Sequence, residues 1–230
     1  MKKTIQRVLA AVILLVMILS GGFSEVGKVH AEKQQGTTKR AIYVVFDNSG
    51  SMYGDGNKAW SQATYAMEVF AAMMNYESGD VMKVFPMHDI TTDGNTGSAT
   101  KSSMEIRGKD DIAQIHNMYT PKPGGTPYTQ VNNAAGELTK LLNAGSVDEG
   151  WLVVLTDGDF DNDIPASGLK ADLEGKAAAN ENLYVQYLAI GTDVKNIPEG
   201  NADKGLYAQK AGNTSEVVNE LAEISNRIFK

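Results

Sequence analysis

The sequence predicts a doubly wound α/β domain, a mostly parallel central sheet with helices on both faces. Short apolar runs rich in β-branched and aromatic residues alternate along the chain with longer stretches of helical periodicity, the pattern that builds parallel sheets. Two of these runs end abruptly in acidic and hydroxyl residues, at the strand ends where open α/β sheets carry their ligands. Beyond residue 31 no repeat, low-complexity tract or linker divides the chain, and its length suits one domain with a substantial core.

The elements follow in order. Ala41 to Phe46 is an apolar strand. A helix is expected over about 59–76, with Trp60, Ala63, Met67, Phe70 and Met74 on one face and the methionines filling core gaps. Val81 to Met87 reads as the second strand, Thr91 to Thr100 as a polar loop, Ser102 to Arg107 as a short edge strand and Asp110 to Met118 as a short helix. Thr126 and Pro127 open a helix of about 128–143, Thr126 as its N-cap and Pro127 in the first turn. Trp151 to Thr156 is a central strand, Leu169 to Asn180 a helix, Leu183 to Ile190 a further strand and Gly205 to Gln209 a final edge strand. Asn213 and Glu216 have capping-box spacing before a last helix, whose buried stripe is Val217, Leu221, Ile224 and Ile228.

The N-terminal segment stands apart. Lys2, Lys3 and Arg7 precede an apolar run from Val8 to Leu19, and small and polar residues lead to Val29-His30-Ala31. That is the layout of a secretory signal cleaved after Ala31, and the run is shorter than the ~18 apolar residues a spanning helix needs. Residues 1–31 are therefore expected to be a leader, 32–39 a polar lead-in and 40–230 the folded domain, secreted or held at the cell surface with no membrane contact after cleavage. The chain has no Cys, which excludes disulfides and lipid attachment through an N-terminal cysteine, and fits a Gram-positive type of exporter. Net charge is −7, and without the leader it falls to about −10. Such a surplus repels nucleic acid and anionic membranes and is compatible with binding cations.

The chemistry-bearing residues lie in three loops. The first strand runs into Asp47-Asn-Ser49-Gly-Ser51; the glycine-flanked loop Lys122-Pro-Gly-Gly-Thr-Pro127 supplies Thr126; and Asp157 follows the strand Trp151 to Thr156. All are hard oxygen donors, suited to Mg²⁺, Mn²⁺ or Ca²⁺ and not to the soft metals. Asp47-x-Ser49-x-Ser51, Thr126 within Gly-Gly-Thr-Pro and Asp157 within Leu-Thr-Asp-Gly, in that order, resemble the metal-ion-dependent adhesion site of von Willebrand factor A domains. The resemblance spans about residues 40–229. It implies a doubly wound, Rossmann-like fold and a divalent cation, Mg²⁺ first, held by Ser49, Ser51 and Thr126 with Asp47 and Asp157 close by. It also implies a protein ligand whose Asp or Glu completes the coordination, so that the domain is a non-enzymatic adhesion-type module; the alternative is an assembly or switch subunit of a cell-envelope complex. Oligomeric state is not readable from these residues. Rim loops at 52–57, 89–95 and 160–165 should set specificity, with Tyr53, Tyr128 and Phe160 as candidate contacts.

Other chemistries fit less well. The run Asp157 to Asp163 lacks the glycine and glutamate of an EF-hand loop, which leaves a solvated acidic loop or a weaker second cation site at Asp159, Asp161 and Asp163. Gly54-x-Gly56-x-x-Ala59 imitates a dinucleotide fingerprint, but Asp47 and Asp55 would repel a pyrophosphate there and the expected later acidic residue is missing. A Mg²⁺-dependent phosphatase of the Asp-x-Asp type would lack its second acid, which is Ser49 here. Ser49 does not stand in a Gly-x-Ser-x-Gly elbow. His88 and His116 have no Cys or His neighbour at ligand spacing.

Overall fold

The computed structural model describes residues 38–88, 90–91, 100–101, 103–108, 110–112, 126–158, 160–161, 163–191 and 194–229. The expected leader and most of the lead-in lie outside them, as do 113–118 of the helix expected at 110–118 and 122–125 of the glycine-flanked loop. Among the described residues no helix is long and apolar enough to cross a membrane.

Six strands form the central sheet: β1 (Arg40–Phe46), β2 (Val81–Pro86), β5 (Met104–Ile106), β6 (Glu149–Thr156), β7 (Leu183–Ile190) and β8 (Leu206–Ala211), in the order β5-β2-β1-β6-β7-β8. Every pairing is parallel except β2 with β5, so the short edge strand is the antiparallel exception. β3 (Ile90–Thr91) and β4 (Thr100–Lys101) pair antiparallel in a second, two-stranded sheet, so the ends of the segment expected to be a polar loop are a ribbon.

Among the described residues four long helices cover the sheet, α1 (Gly54–Met73), α2 (Thr129–Asn143), α3 (Ala166–Ala177) and α4 (Thr214–Ile228), and 110–112 of the short helix expected at 110–118 are helical. The strands, buried on both sides, alternate between two cores with the period of two that a pleat imposes. Ile42, Val44 and Phe46 of β1 pack with Met67 and Phe70 of α1 and Leu221 and Ile224 of α4. Ala41, Tyr43 and Val45 pack on the other face with Val131 and Leu138 of α2 and Leu169 and Leu173 of α3. Gly150 lets α2 lie close to β6, since a Cβ there would come within 2.9 Å of the Leu142 side chain.

Several boundaries differ from expectation, among them both ends of α3, expected at 169–180 and found at Ala166–Ala177. α1 begins at Gly54, continuous with a 3₁₀ turn at Gly50–Tyr53, so most of the expected 52–57 rim loop is helical. It ends at Met73 because Asn75 starts a 3₁₀ turn of its own, its side chain accepting from Ser78 N–H at 3.3 Å. α2 begins at Thr129, with Tyr128 at its N-cap in place of the expected Thr126 and no side-chain capping bond. Asn213 caps α4 as its spacing implied, accepting from Glu216 N–H at 3.1 Å, while Glu216 reaches back one residue further than a capping box requires, accepting from Gly212 N–H at 2.6 Å and from the Asn213 side-chain amide at 2.6 Å.

Candidate metal centre

Sheet order fixes where the site lies. From β1 the chain runs through α1 to β2 on one side, and from β6 through α3 to β7 on the other, so the connections part above the ends of β1 and β6. That is the topological switch point at which open α/β sheets bind ligands. In parallel register Phe46 lies opposite Leu155, and Asp47 N–H donates to Leu155 O at 2.8 Å, extending the ladder by one residue. Asp47 and Asp157 thereby arrive side by side from strands more than a hundred residues apart.

A continuous chain of hydrogen bonds joins four of the five expected residues. Asp47 is wholly buried; its Oδ1 accepts from Ser49 N–H at 2.8 Å and its Oδ2 from Thr156 Oγ1 at 2.9 Å. Ser49 Oγ and Ser51 Oγ lie 2.9 Å apart, and Ser51 Oγ donates to Asp157 Oδ1 at 3.0 Å. Ser49 is 2 % exposed, whereas Ser51 is open to solvent, so the chain rises from the sheet to the surface.

The fifth residue, Thr126, is 5 % exposed and is tied to the loop that carries Asp157. Its N–H donates to Asp161 Oδ1, and Asp161 N–H donates back to Thr126 O at 3.1 Å. A similar pair escaped the sequence reading at Asn48, which is fully buried beneath the first loop. Asn48 Oδ1 accepts from His88 N–H at 2.8 Å and its amide donates to His88 O at 3.2 Å, fastening the turn after β1 to the turn after β2. An Asn between Asp and Ser reads as an ordinary turn former, and only its burial shows the second role.

Electrostatics mark this end of the sheet. Burial, followed by the negative charge of Asp47 and contact with it, pushes the Asp157 carboxyl up from 3.8 to about 6, against the lowering effect of the bond from Ser51. The ion pairs among the described residues involve neither Asp47 nor Asp157. The donor set is all oxygen, and a divalent cation there would oppose the repulsion between the two carboxylates, so the residues fit a hard cation.

The three candidate rim aromatics serve packing in different degrees. Tyr53 is part-buried and stacks on Trp60 with centroids 4.6 Å apart. Phe160 is only 3 % exposed, edge-on to Tyr128 at 4.7 Å, so its ring fills the loop's base where a surface contact was expected. Tyr128 donates its hydroxyl to Asp172 at 2.6 Å, and Lys176 pairs with Asp172 at 2.8 Å and lies over the Tyr128 ring. Burial raises the Tyr128 phenol, and the Asp172 bond adds to the effect. Of the acidic run, Asp161 is the clasp described above; Asp163 adopts φ 46° with its N–H on Phe160 O, and 159 lies outside the described residues.

No family model matches the chain, and no curated protein does. Solved structures do. Proximal thread matrix protein 1 from the mussel byssus superposes with a TM-score of 0.56 at 15% identity, over 83% of this chain and 46% of that one. The pilus adhesin SpaC from Lactobacillus rhamnosus GG gives 0.55 at 17% identity, over 85% and 31%. The mussel protein with a zinc-occupied MIDAS motif gives 0.53 at 14% identity, over 82% and 46%. The chain spans less than half the length of each of these proteins. Its fold is the von Willebrand factor A fold, as the sequence resemblance implied.

Proposed function

We propose that the domain binds a divalent cation, Mg²⁺ in the first instance, through Ser49, Ser51 and Thr126 with Asp47 and Asp157 supplying negative charge, and that an Asp or Glu of a protein partner completes the site. The observation that carries this reading is the hydrogen-bonded chain from Asp47 through Ser49 and Ser51 to Asp157 at the switch point. A cation bound mainly by neutral hydroxyls retains positive charge and attracts an incoming carboxylate. The N-terminal end of α2, just beyond Thr126, adds favourable potential for the same anion.

The similar folds of a pilus adhesin and a byssal thread protein support a secreted or surface-exposed, adhesion-type role, and the zinc-occupied MIDAS of the latter supports a divalent metal here. The expected leader supports export. Binding is preferred to catalysis because both oxygens of Asp47 are committed within the fold, to Ser49 N–H and to the Thr156 hydroxyl.

The test is calorimetric titration of the chelator-treated protein with Mg²⁺, Mn²⁺ and Ca²⁺, beside Asp47→Ala. Saturable uptake in the wild type, lost in the variant, is the expected result. Uptake indifferent to Asp47 would sink the assignment.

A further inference from the structure

We propose that Asp161 is a positioning residue that sets the place of Thr126 in the cation site, an inference that rests on the cation reading above. Thr126 follows Gly124-Gly125, two residues that carry no side chain. The pinning comes instead from a residue 35 positions later: Asp161 accepts the Thr126 N–H on its carboxylate and donates its own N–H to the Thr126 carbonyl. Two bonds close a ring between the loops and fix orientation as well as distance.

The Asp161 side of that ring is itself anchored. Its neighbour Phe160 is buried edge-on against Tyr128, whose hydroxyl is held by Asp172 of α3. Four residues upstream on the same loop is Asp157. One loop therefore delivers a carboxylate of the site and holds the residue that carries a hydroxyl of the site. Mg²⁺ demands near-ideal octahedral geometry at ~2.0–2.1 Å, and a site is productive only when its ligands sit within about 0.5 Å of the required places. A Thr126 freed from Asp161 would keep its hydroxyl but lose that place. Asp161 acts through Thr126.

The experiment measures Mg²⁺ affinity by calorimetry in the wild type, Asp161→Ala, Asp161→Asn and Asp161→Glu, with urea midpoints confirming that each is folded and amide hydrogen exchange read at Thr126. Asp161→Ala should bind at least about tenfold more weakly and expose the Thr126 amide to exchange. Asp161→Asn, which keeps an acceptor oxygen in place, should restore both. Asp161→Glu, which keeps the charge but moves the acceptor, should fall between them and covers the case in which the alanine variant does not fold. Wild-type affinity in Asp161→Ala would overturn the proposal, and so would equal loss in the alanine and asparagine variants, which would make the charge of Asp161 its contribution. A wild type that takes up no cation would overturn the reading above; the Thr126 exchange then decides the clasp by itself, faster exchange in the alanine variant alone supporting it and equal exchange refuting it.

Discussion

At the N-terminal end of the sheet Asp80 is 4 % exposed, and its two oxygens accept from the backbone N–H groups of Arg40 and Asn75, each at 2.9 Å. Nearby, Glu149 lies 3.5 Å from the Arg40 guanidinium. At the C-terminal end Asp47 is equally buried, but its neighbour is a second carboxylate, Asp157, whose proton affinity it raises. Both ends bury acid. The lower end spreads its charge over backbone dipoles and an arginine, while the upper end sets like charges against each other beside a row of hydroxyls. The same sheet thus carries a carboxylate that fastens the fold and a pair whose arrangement costs stability until a cation or a proton offsets it.

The largest way to break this comparison is Asp80→Ala, which strands two buried backbone donors. It should cost about 3 kcal/mol in urea unfolding while leaving the affinity for Mg²⁺ unchanged. A loss confined to cation binding would mean that the two ends are not separable.

A second experiment sharpens the upper end through pH. The folded value of Asp157, about 6, lies above its ordinary 3.8, so the native protein holds a proton there that the unfolded chain has released. That contribution is fully present below the unfolded value and is lost as pH rises through about 6. The urea midpoint of the cation-free wild type, measured relative to Asp157→Asn, should therefore fall between about pH 4 and pH 6 and then level off. A difference independent of pH over that window would show that Asp157 titrates as an ordinary aspartate.

The smallest effect concerns the lower end's own imperfection. Ser225, on the buried face of α4 and 5 % exposed, has a hydroxyl with no hydrogen-bond partner among the described residues. Replacing it with Ala should raise stability by about 1 kcal/mol, read as a higher urea midpoint. A drop would mean that the hydroxyl has a partner in solution.

Much of this was legible before folding. The runs Ala41 to Phe46, Trp151 to Thr156 and Leu183 to Ile190 are strands within a residue or two of their expected limits, and the stripe Val217, Leu221, Ile224 and Ile228 is the buried face of α4. These succeed because strand alternation and helical period are local properties of the side chains. Less legible were the start of α1 and the cap of α2, where turn residues compete with helix.

By itself the sequence determined the layered α/β fold and which oxygen donors stand at the ends of its strands, since both follow from hydrophobic period and residue chemistry along the chain. Tertiary structure alone decided the rest. It set Asp47 beside Thr156, fastened Asn48 to His88 and Thr126 to Asp161, and drew Phe160 inward from the rim. It also joined Gln186 at the centre of β7 to Gln209 of β8 and to Arg227 of α4, a polar tie between sheet and helix that no local pattern announces. Each of these contacts joins distant segments or depends on burial in the assembled core. Such contacts exist only once strand order and helix packing have brought them within hydrogen-bonding distance.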